Sequence, residues 1–500
     1  MMKKFFTLLL MVGLAVLVSA QNETKFSKKQ LKQDLNYLYK TLQKTHYDLY
    51  AHISKKAYDK AYRQLRRSFK DSLNVLETYR LFQPFVALTK MAHCTTNYPF
   101  QRAYGAFIGE GGKLFPLNIT VYKEKAYIKV NYSENKQIQK GAELLEINGV
   151  AIQKTLDKMY NYLSGDNTYL QNTILDIYSF PRWYWAINDG VEEYDVKVKN
   201  RDGQVKSFKL KAITALKFEE TYAKEEALFD QSREFKFLSE STAYLKPGAF
   251  SNLKSDGNSS KTETFDKGRF LKFIENAFTK IKQKNAKNLI IDLRNNSGGS
   301  NTFSDEMLAY IAHKKFRFCS DFKIKVSEIT KQYWRKVKDN NESEMVKSLK
   351  KEILAHKNGE RFNFKMPYHM PRQDDLTFKG KVYVLINRYS YSQATITAAM
   401  VQDFGFGTLV GETTADVATT YGAVHQFSLP NSKIAITYPK ALIVRPNGDE
   451  KPKGVTPDHL VNENLFTKKD EILEFTMELI KGEMIKSGGE QHIHRLYLDK

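Results

Sequence analysis

The sequence predicts an α/β fold with a ββα-type layered core, preceded by an N-terminal helical domain and a small β-rich module. Two largely apolar runs, residues 288–293 and 381–386, are bounded by polar residues, as expected of strands that are buried on both faces. An amphipathic helical pattern lies at residues 270–281, before the first run, and residues 394–401, after the second, are predicted to form a helix that ends near Gly405. This alternation of strand and helix is typical of a layered α/β core.

The N-terminal half of the chain shows two further patterns. Between residues 26 and 92, apolar side chains recur every three or four positions, which predicts three or four packed helices. Short alternating stretches then favour a β-rich module with a helix, whereas the basic stretch at 336–357 is expected on the surface. The expected boundaries are a signal peptide at 1–20, the helical domain at 21–105, the β-rich module at 106–215, the layered core at 216–485 and a tail at 486–500.

The first twenty residues predict export. Two lysines precede an apolar run at residues 5–18, and a small-residue cleavage pattern ends at Ala20, before Gln21. No later stretch approaches the length of a membrane-spanning helix. We therefore expect a mature protein that begins near Gln21 and is periplasmic or extracellular.

The composition excludes several classes of protein. The 500 residues are 42% hydrophobic, which excludes a disordered or fibrous chain. The net charge of +22 comes mostly from scattered lysines, so we expect a basic surface that can contact anionic envelope polymers, and no nucleic-acid partner. Cys94 and Cys319 are too few for a disulfide framework and leave a single bridge open. No HExxH or CxxC spacing occurs, so we expect neither a metal nor an organic cofactor.

One candidate for chemistry is the stretch INRYSYSQATITA at residues 386–398. It places two hydroxyls, Ser390 and Ser392, where a buried strand turns into a helix. A hydroxyl on such a tight connection lies beside the unpaired N–H groups of the helix, which can stabilise an oxyanion. The alternative is that both serines only cap the helix, a position for which serine is favoured.

A second polar stretch, NNSGGS at residues 295–300, follows the other buried strand. Gly298 and Gly299 would let the backbone approach a ligand closely and point N–H groups at it. The alternative is a plain turn between a strand and a helix. The spacings GxxxxGK[ST] and GxGxxG are both absent, so the stretch is not a phosphate loop.

With their surroundings, these two stretches resemble the serine peptidase family of C-terminal processing peptidases and tricorn-core proteases. The matching segments are NLIIDLRNNSGG at 288–299, residues 384–403, LVGETT at 409–414, FSLPNS at 427–432 and GVTPD at 454–458. The resemblance implies that residues 216–485 form a serine peptidase catalytic domain and that the β-rich module is PDZ-like. The helical region is similar to that of the bacterial exported members.

The resemblance also implies the nucleophile and its base. The family's nucleophile lies eleven residues before the aspartate of a Gln-Asp pair, which implies Ser392 because Gln402 and Asp403 form that pair. Processing peptidases use a lysine base where this chain has Val417, so the tricorn-like branch, which uses Ser, His and Glu, is the better comparison. In that branch the position of the histidine implies His93, which suits a general base. A histidine that only packs is the alternative.

The remaining members of the site follow from the same comparison. The acidic residue of the tricorn-like branch precedes the GVTPD stretch, which implies Glu450, with Asp449 as the second choice. A solvated carboxylate in a turn is an equally good account of this position. The oxyanion donors implied by the resemblance are the backbone N–H groups of Gly298, Gly299 and Gln393.

We therefore expect an exported serine endopeptidase that cleaves peptides or unfolded protein segments through an acyl-enzyme on Ser392. The PDZ-like module would hold a peptide or protein substrate, with the glycine-rich residues 109–112 as a candidate nest for a terminal carboxylate. One alternative is a catalytically weak or inactive protein of the same fold that binds peptides or anionic surface polymers. Another is a non-peptidase acyl hydrolase.

Overall fold

The computed structural model describes residues 24–97, 103–225, 228–229, 232–252, 266–337, 344–464, 466–467 and 469–482. The signal peptide expected at residues 1–20 and the tail expected at 486–500 lie outside these ranges. Within them, no helix is both long and apolar enough to cross a membrane.

Three helices pack together at the start of the described chain, as the spacing of its apolar residues predicts. They are α1 (Lys28–Thr45), α2 (Lys55–Ser68) and α3 (Val75–Ala87), and the short strand β1 (Thr95–Thr96) follows them. Each helix begins at a side chain that accepts a hydrogen bond from a first-turn N–H group, and these residues are Ser27, Ser54 and Asn74. The packing of these helices sets the position of the segment between α3 and β1, which contains His93.

The next region is the predicted β-rich module, and it contains more helix than the sequence pattern indicated. In chain order its elements are α4 (Gly105–Gly109), β2 (Lys113–Leu114), β3 (Leu117–Tyr122), β4 (Lys125–Asn131), β5 (Glu143–Ile147), β6 (Val150–Ala151), α5 (Ile152–Tyr160), α6 (Thr168–Tyr178), α7 (Phe180–Ile187), β7 (Glu193–Lys199), β8 (Val205–Lys211), β9 (Ile213–Thr214) and α8 (Ala215–Tyr222). The main sheet is antiparallel, in the order β3-β4-β5-β7-β8 with β6 paired to β5. Helices α6 and α7 were not predicted, and α6 lies against the candidate site described below.

The remaining elements form the predicted layered α/β core. In chain order they are β10 (Glu234–Phe237), β11 (Thr242–Lys246), α9 (Gly268–Gln283), β12 (Asn288–Asp292), α10 (Asn301–Leu308), β13 (Asp321–Lys325), α11 (Glu328–Lys336), α12 (Glu344–Ala355), β14 (Arg361–Phe364), β15 (Lys381–Ile386), α13 (Gln393–Phe404), β16 (Thr408–Gly411), β17 (Thr420–Ser428), β18 (Ala435–Val444), β19 (His459–Leu460) and α14 (Glu471–Lys481). One sheet has the order β10-β11-β12-β15-β16-β19 and is parallel from β11 to β19. Because β12 and β15 are parallel neighbours, the stretches that follow them meet at one edge of the sheet.

The central strands are buried on both faces, which confirms the interpretation of their apolar runs. Ile291 and Val384 face the large core that also holds side chains of α9, α10 and α13. Ile290 and Leu385 face the opposite way, against side chains of α14. A continuous apolar run is therefore required here in place of an alternating one.

A second, antiparallel sheet connects the helical region to the layered core. Its order is β1-β18-β13-β14, and β17 also pairs with β18. The register pairs Thr95 of β1 with Thr437 of β18, two residues after His93. Because of this pairing, the segment that carries His93 is held directly against the second sheet of the layered core.

Two expectations about the core are corrected or settled by the structure. The basic stretch at 336–357 is only partly a surface segment, because Leu349 and Ile353 of α12 are buried in the large core; residues 338–343 lie outside the described ranges. The lysines of this stretch obscured an apolar pair with helical spacing. Cys94 and Cys319 are both buried and both free, and they lie in different cores.

Candidate active site

Ser392 lies on the connection between β15 and α13, in an unusual backbone conformation. It occupies the N-cap position of α13 with φ 53° and ψ −117°, and its side chain makes no capping hydrogen bond. A positive φ is rare for a residue with a Cβ, and such strain is concentrated at functional sites. The helix-capping interpretation therefore does not account for this serine.

Ser390, two residues earlier, has a structural role. Its side chain is completely buried, and its hydroxyl donates to the Leu293 carbonyl at 2.8 Å while accepting the Asn387 N–H at 3.1 Å. These bonds tie the ends of β12 and β15 together. Of the two serines that the sequence offered, Ser392 alone presents a hydroxyl without a hydrogen-bond partner in the described part of the chain.

Asp416 holds the backbone of Ser392. One carboxylate oxygen of Asp416 accepts the Ser392 N–H at 2.6 Å, and the other accepts the Val417 N–H at 2.9 Å. Burial raises the pKa of Asp416 to about 6, while these two backbone hydrogen bonds act in the opposite direction. Val417 is fully buried at the position where processing peptidases have their lysine. Sequence reasoning noted Val417 and missed the aspartate beside it.

The glycine stretch after β12 packs against Ser392. A Cβ built on Gly298 would lie 2.6 Å from the Tyr391 carbonyl oxygen and 2.8 Å from the Ser392 Cβ. A Cβ on Gly299 would lie 2.2 Å from the Phe250 carbonyl oxygen. Both positions also have positive φ angles. Gly298 is therefore required by its close approach to the serine loop, and Gly299 by its close approach to the backbone of Phe250.

Of the three backbone N–H groups suggested as oxyanion donors, one is already hydrogen-bonded within the protein and two are not. The Gly298 N–H donates to Asn296 Oδ1 at 2.8 Å, in a buried bond, so it is already occupied. The N–H groups of Gly299 and Gln393 make no hydrogen bond to any described residue. A Cβ built on Gly298 would lie 2.7 Å from the Gln393 nitrogen, so the glycine segment and the start of α13 are adjacent. The free N–H of Gln393 therefore directly follows Ser392, and the free N–H of Gly299 belongs to the residue after Gly298, which packs against the same serine. An oxyanion hole requires free donors near the nucleophile.

His93 lies next to the serine loop. Its ring is 6.1 Å from the Tyr391 ring, centroid to centroid, with an angle of 27° between the planes. Its Nδ1 is buried and has no hydrogen-bond partner in the described part of the chain. Burial lowers the pKa of His93, whereas the charge of Asp166 and the backbone of Tyr421 raise it, and burial is the largest effect. His93 is therefore a neutral imidazole near pH 7.

Asp166 is the carboxylate whose charge acts on His93. It lies in the β-rich module, just before α6, and one of its oxygens accepts the Ala92 N–H at 3.0 Å. Burial and the nearby charge of Asp416 raise the pKa of Asp166, while the Ala92 N–H and His93 lower it. Sequence reasoning missed this residue because nothing in its local pattern distinguishes it from any other aspartate before a helix.

Glu450 and Asp449 are placed elsewhere. Glu450 is 68% exposed and forms an ion pair with Lys323 at 2.9 Å. The Asp449 carboxylate accepts the Lys451 N–H and pairs with Lys453 at 3.1 Å. The structure does not bring either carboxylate to His93, and this turn fits the solvated-carboxylate alternative.

The glycine-rich residues 109–112 do not form the expected nest. The N–H groups of Glu110, Gly111 and Gly112 donate to the carbonyls of Ala106, Ile108 and Phe107. These bonds close the end of α4, because orphan groups at a helix terminus are satisfied locally. The segment therefore has no free N–H row for a terminal carboxylate.

Comparisons with known proteins give the family domains and the fold. Residues 261–461 match the model of peptidase family S41, and residues 112–226 match that of a PDZ domain. Mature CPAF in complex with lactacystin has a TM-score of 0.62 and 15% identity, over 91% of this chain and 97% of that chain. Mature CPAF alone has a TM-score of 0.61 and 14% identity, over 92% of this chain and 99% of that chain. The photosystem II D1 C-terminal processing protease has a TM-score of 0.43 and 14% identity, over 89% of this chain and 96% of that chain. At this identity the likeness to CPAF shows the fold. No curated protein matches the chain significantly.

The strain at Ser392 predicts an unusual order of stability among variants. Glycine adopts positive φ without steric cost, so Ser392→Gly should be more stable than Ser392→Ala by about 1 kcal/mol in unfolding free energy. Urea denaturation followed by circular dichroism measures the difference. Gly149, with φ +74° and open space around its Cα, is the matched control, because Gly149→Ala adds strain and no clash. Ser392→Gly unfolding at the same or a lower urea concentration than Ser392→Ala would contradict the strain.

Proposed function

Because the chain belongs to peptidase family S41 and is a serine-type peptidase, we propose that it cleaves peptides or unfolded protein segments through an acyl-enzyme on Ser392. The observation that carries the proposal is the strained Ser392, which is followed by the free N–H of Gln393 and packed against Gly298, the neighbour of the free N–H of Gly299. A hydroxyl fixed in this way can attack a carbonyl while the charge that develops on the carbonyl oxygen meets donors already in place.

The proposed reaction begins with attack by Ser392 Oγ on the carbonyl carbon of the scissile peptide bond. His93 accepts the hydroxyl proton as the C–O bond forms, and the oxyanion is stabilised by the N–H groups of Gly299 and Gln393. His93 then returns the proton to the leaving nitrogen as the C–N bond breaks, which leaves an ester on Ser392. Water, deprotonated by His93, hydrolyses this ester and restores the serine.

Two aspartates support these steps as positioning residues. Asp416 fixes the Ser392 N–H at 2.6 Å and so keeps the hydroxyl on the exposed side of the loop. Asp166 favours the charged form of His93, which is formed when the imidazole takes the proton. We assign the role of the acidic triad member to Asp166, since Glu450 is engaged with Lys323.

We also propose where the enzyme acts and how it holds its substrate. The lysine pair and apolar run in residues 1–20 support export to the periplasm or the outside of the cell. The PDZ domain supports the capture of a peptide segment as an additional strand. The basic composition, with a net charge of +22, supports contact with anionic surface polymers.

A fluorophosphonate probe tests the nucleophile. The native protein should be labelled at Ser392, because the probe traps a serine whose developing oxyanion is stabilised. Mass spectrometry of the labelled peptide identifies the residue, and heat-denatured protein is the control for non-specific reaction. Labelling that persists in Ser392→Ala would contradict the assignment. A native protein that takes no label would favour the peptide-binding alternative without turnover.

The acid limb of the pH profile tests His93. Its pKa is lowered by burial from an ordinary value of 6.5, so it stays neutral and able to accept a proton at lower pH than an exposed histidine. Activity should therefore rise with pH through a midpoint below 6.5. The measurement is kcat/KM for an unfolded protein substrate, such as a reduced and alkylated polypeptide, between pH 4 and 8. A midpoint above pH 7 would contradict this account.

Matched amide substitutions distinguish the two candidate acidic residues. Asp166→Asn removes the charge that raises the pKa of His93, so kcat/KM should fall by about tenfold or more and the acid limb should move to lower pH. Glu450→Gln removes an exposed ion pair and should leave both quantities close to those of the native enzyme. The reverse pattern, with Glu450→Gln inactive and Asp166→Asn active, would assign the acidic role to Glu450.

A further inference from the structure

A cavity of about 740 Å³ opens beside the candidate active site. Tyr391 and Ala92 both line it, and they directly precede Ser392 and His93 in the chain. Ligand pockets in proteins usually have volumes of roughly 300–1,000 Å³, so the space can hold a large side chain of a bound polypeptide. The cavity therefore borders both segments that carry the candidate nucleophile and base.

Apolar and aromatic side chains from three regions form most of the wall. Tyr79 comes from α3, Ile174 and Ile177 from α6, Trp183 from α7 and Ile434 from the start of β18. No aspartate or glutamate belongs to the described lining. A lysine or arginine side chain placed in this space would lose its hydration without gaining a counter-charge. The one charged residue of the described lining, Lys433, is exposed, so its ammonium stays in contact with water.

The polar groups of the wall are largely engaged with the protein itself. In the lining, Ser164 Oγ accepts a hydrogen bond from Gln83 at 3.3 Å, and the Thr96 hydroxyl donates to Gln83 Oε1 at 2.7 Å. The ammonium of Lys433 donates to the Pro430 carbonyl at 2.6 Å. These bonds leave apolar contact as the main means of recognition in the cavity.

We propose that this cavity is the specificity pocket of the enzyme, and that it receives a large apolar or aromatic side chain on the acyl side of the scissile bond. The inference rests on the proposed function and adds the class of substrate that the site selects. Ser392 attacks the carbonyl of the residue whose side chain enters the cavity, so cleavage follows phenylalanine, tyrosine, leucine or methionine. Burial of such side chains supplies the discrimination, because each is worth several methylene groups more than alanine.

The test is a set of otherwise identical peptides that carry phenylalanine, leucine, alanine, aspartate or lysine before one scissile bond. The full-length protein should cleave after phenylalanine or leucine with a kcat/KM at least about tenfold above that for alanine, and should not cleave after aspartate or lysine. Equal cleavage after all five residues, or a preference for a charged residue, would overturn the inference.

Variants that fill the cavity connect the preference to this space. Ala435→Phe and Ile177→Phe each place a large side chain at the lining, and both should shift the preference toward alanine. Ala151→Phe, at an exposed position in β6, is the matched control and should keep the native preference. Fluorophosphonate labelling of each variant shows that its nucleophile is intact. If both variants, Ala435→Phe and Ile177→Phe, are labelled by the probe and keep the native cleavage preference, the inference is overturned. A native protein that is neither labelled nor active would overturn the proposed function, and this inference with it.

Discussion

The site depends on a backbone conformation that a serine seldom adopts. Ser392 has a positive φ at the start of α13, and two contacts keep it there: the Asp416 carboxylate on its N–H and Gly298 against its Cβ. Strain of this kind persists only where the surroundings determine the geometry more strongly than the residue itself does. The same conformation goes with a side chain that makes no capping hydrogen bond. The hydroxyl of Ser392 is therefore not engaged in the helix cap, and the first N–H of the helix, that of Gln393, lies next to it in the chain.

Residues from three regions of the chain meet at this loop. His93 comes from the segment between α3 and β1, Asp166 from the PDZ region, and Ser392 from the layered core. Ala92, Leu170 and Ala415 form a small buried cluster at their junction, with Tyr391 packed against it. Hydrogen bonds cross the same junction, from the Tyr389 hydroxyl to Asp176 and from the Tyr169 hydroxyl to the Thr413 carbonyl. The positions of His93 and Asp166 relative to Ser392 are therefore set by the packing of α6 on the serine loop.

The sequence predicted those features that have a local cause. Strands β12 and β15 could be recognised because strands buried on both faces need continuous apolar runs. Gly298 and Gly299 could be found because the turn after such a strand favours residues that let the backbone approach closely. Ser392 could be separated from Ser390 only by the resemblance to the peptidase family and its spacing to Asp403. Asp166 could not be found in this way, because its role depends on a contact between distant parts of the chain. Glu450 was suggested by a match to a short turn, and the burial that distinguishes a catalytic carboxylate from a solvated one is not visible in sequence.

The most direct measurement is a crystal structure of the protein after reaction with a fluorophosphonate, since the adduct imitates the tetrahedral intermediate at Ser392. This account predicts that the phosphoryl oxygen lies about 2.7–3.1 Å from the backbone nitrogens of both Gly299 and Gln393. It also predicts that Ser392 keeps its positive φ and that the His93 ring lies within hydrogen-bond reach of Ser392 Oγ. A phosphoryl oxygen turned away from both amides, or a Ser392 relaxed to negative φ, would contradict the account.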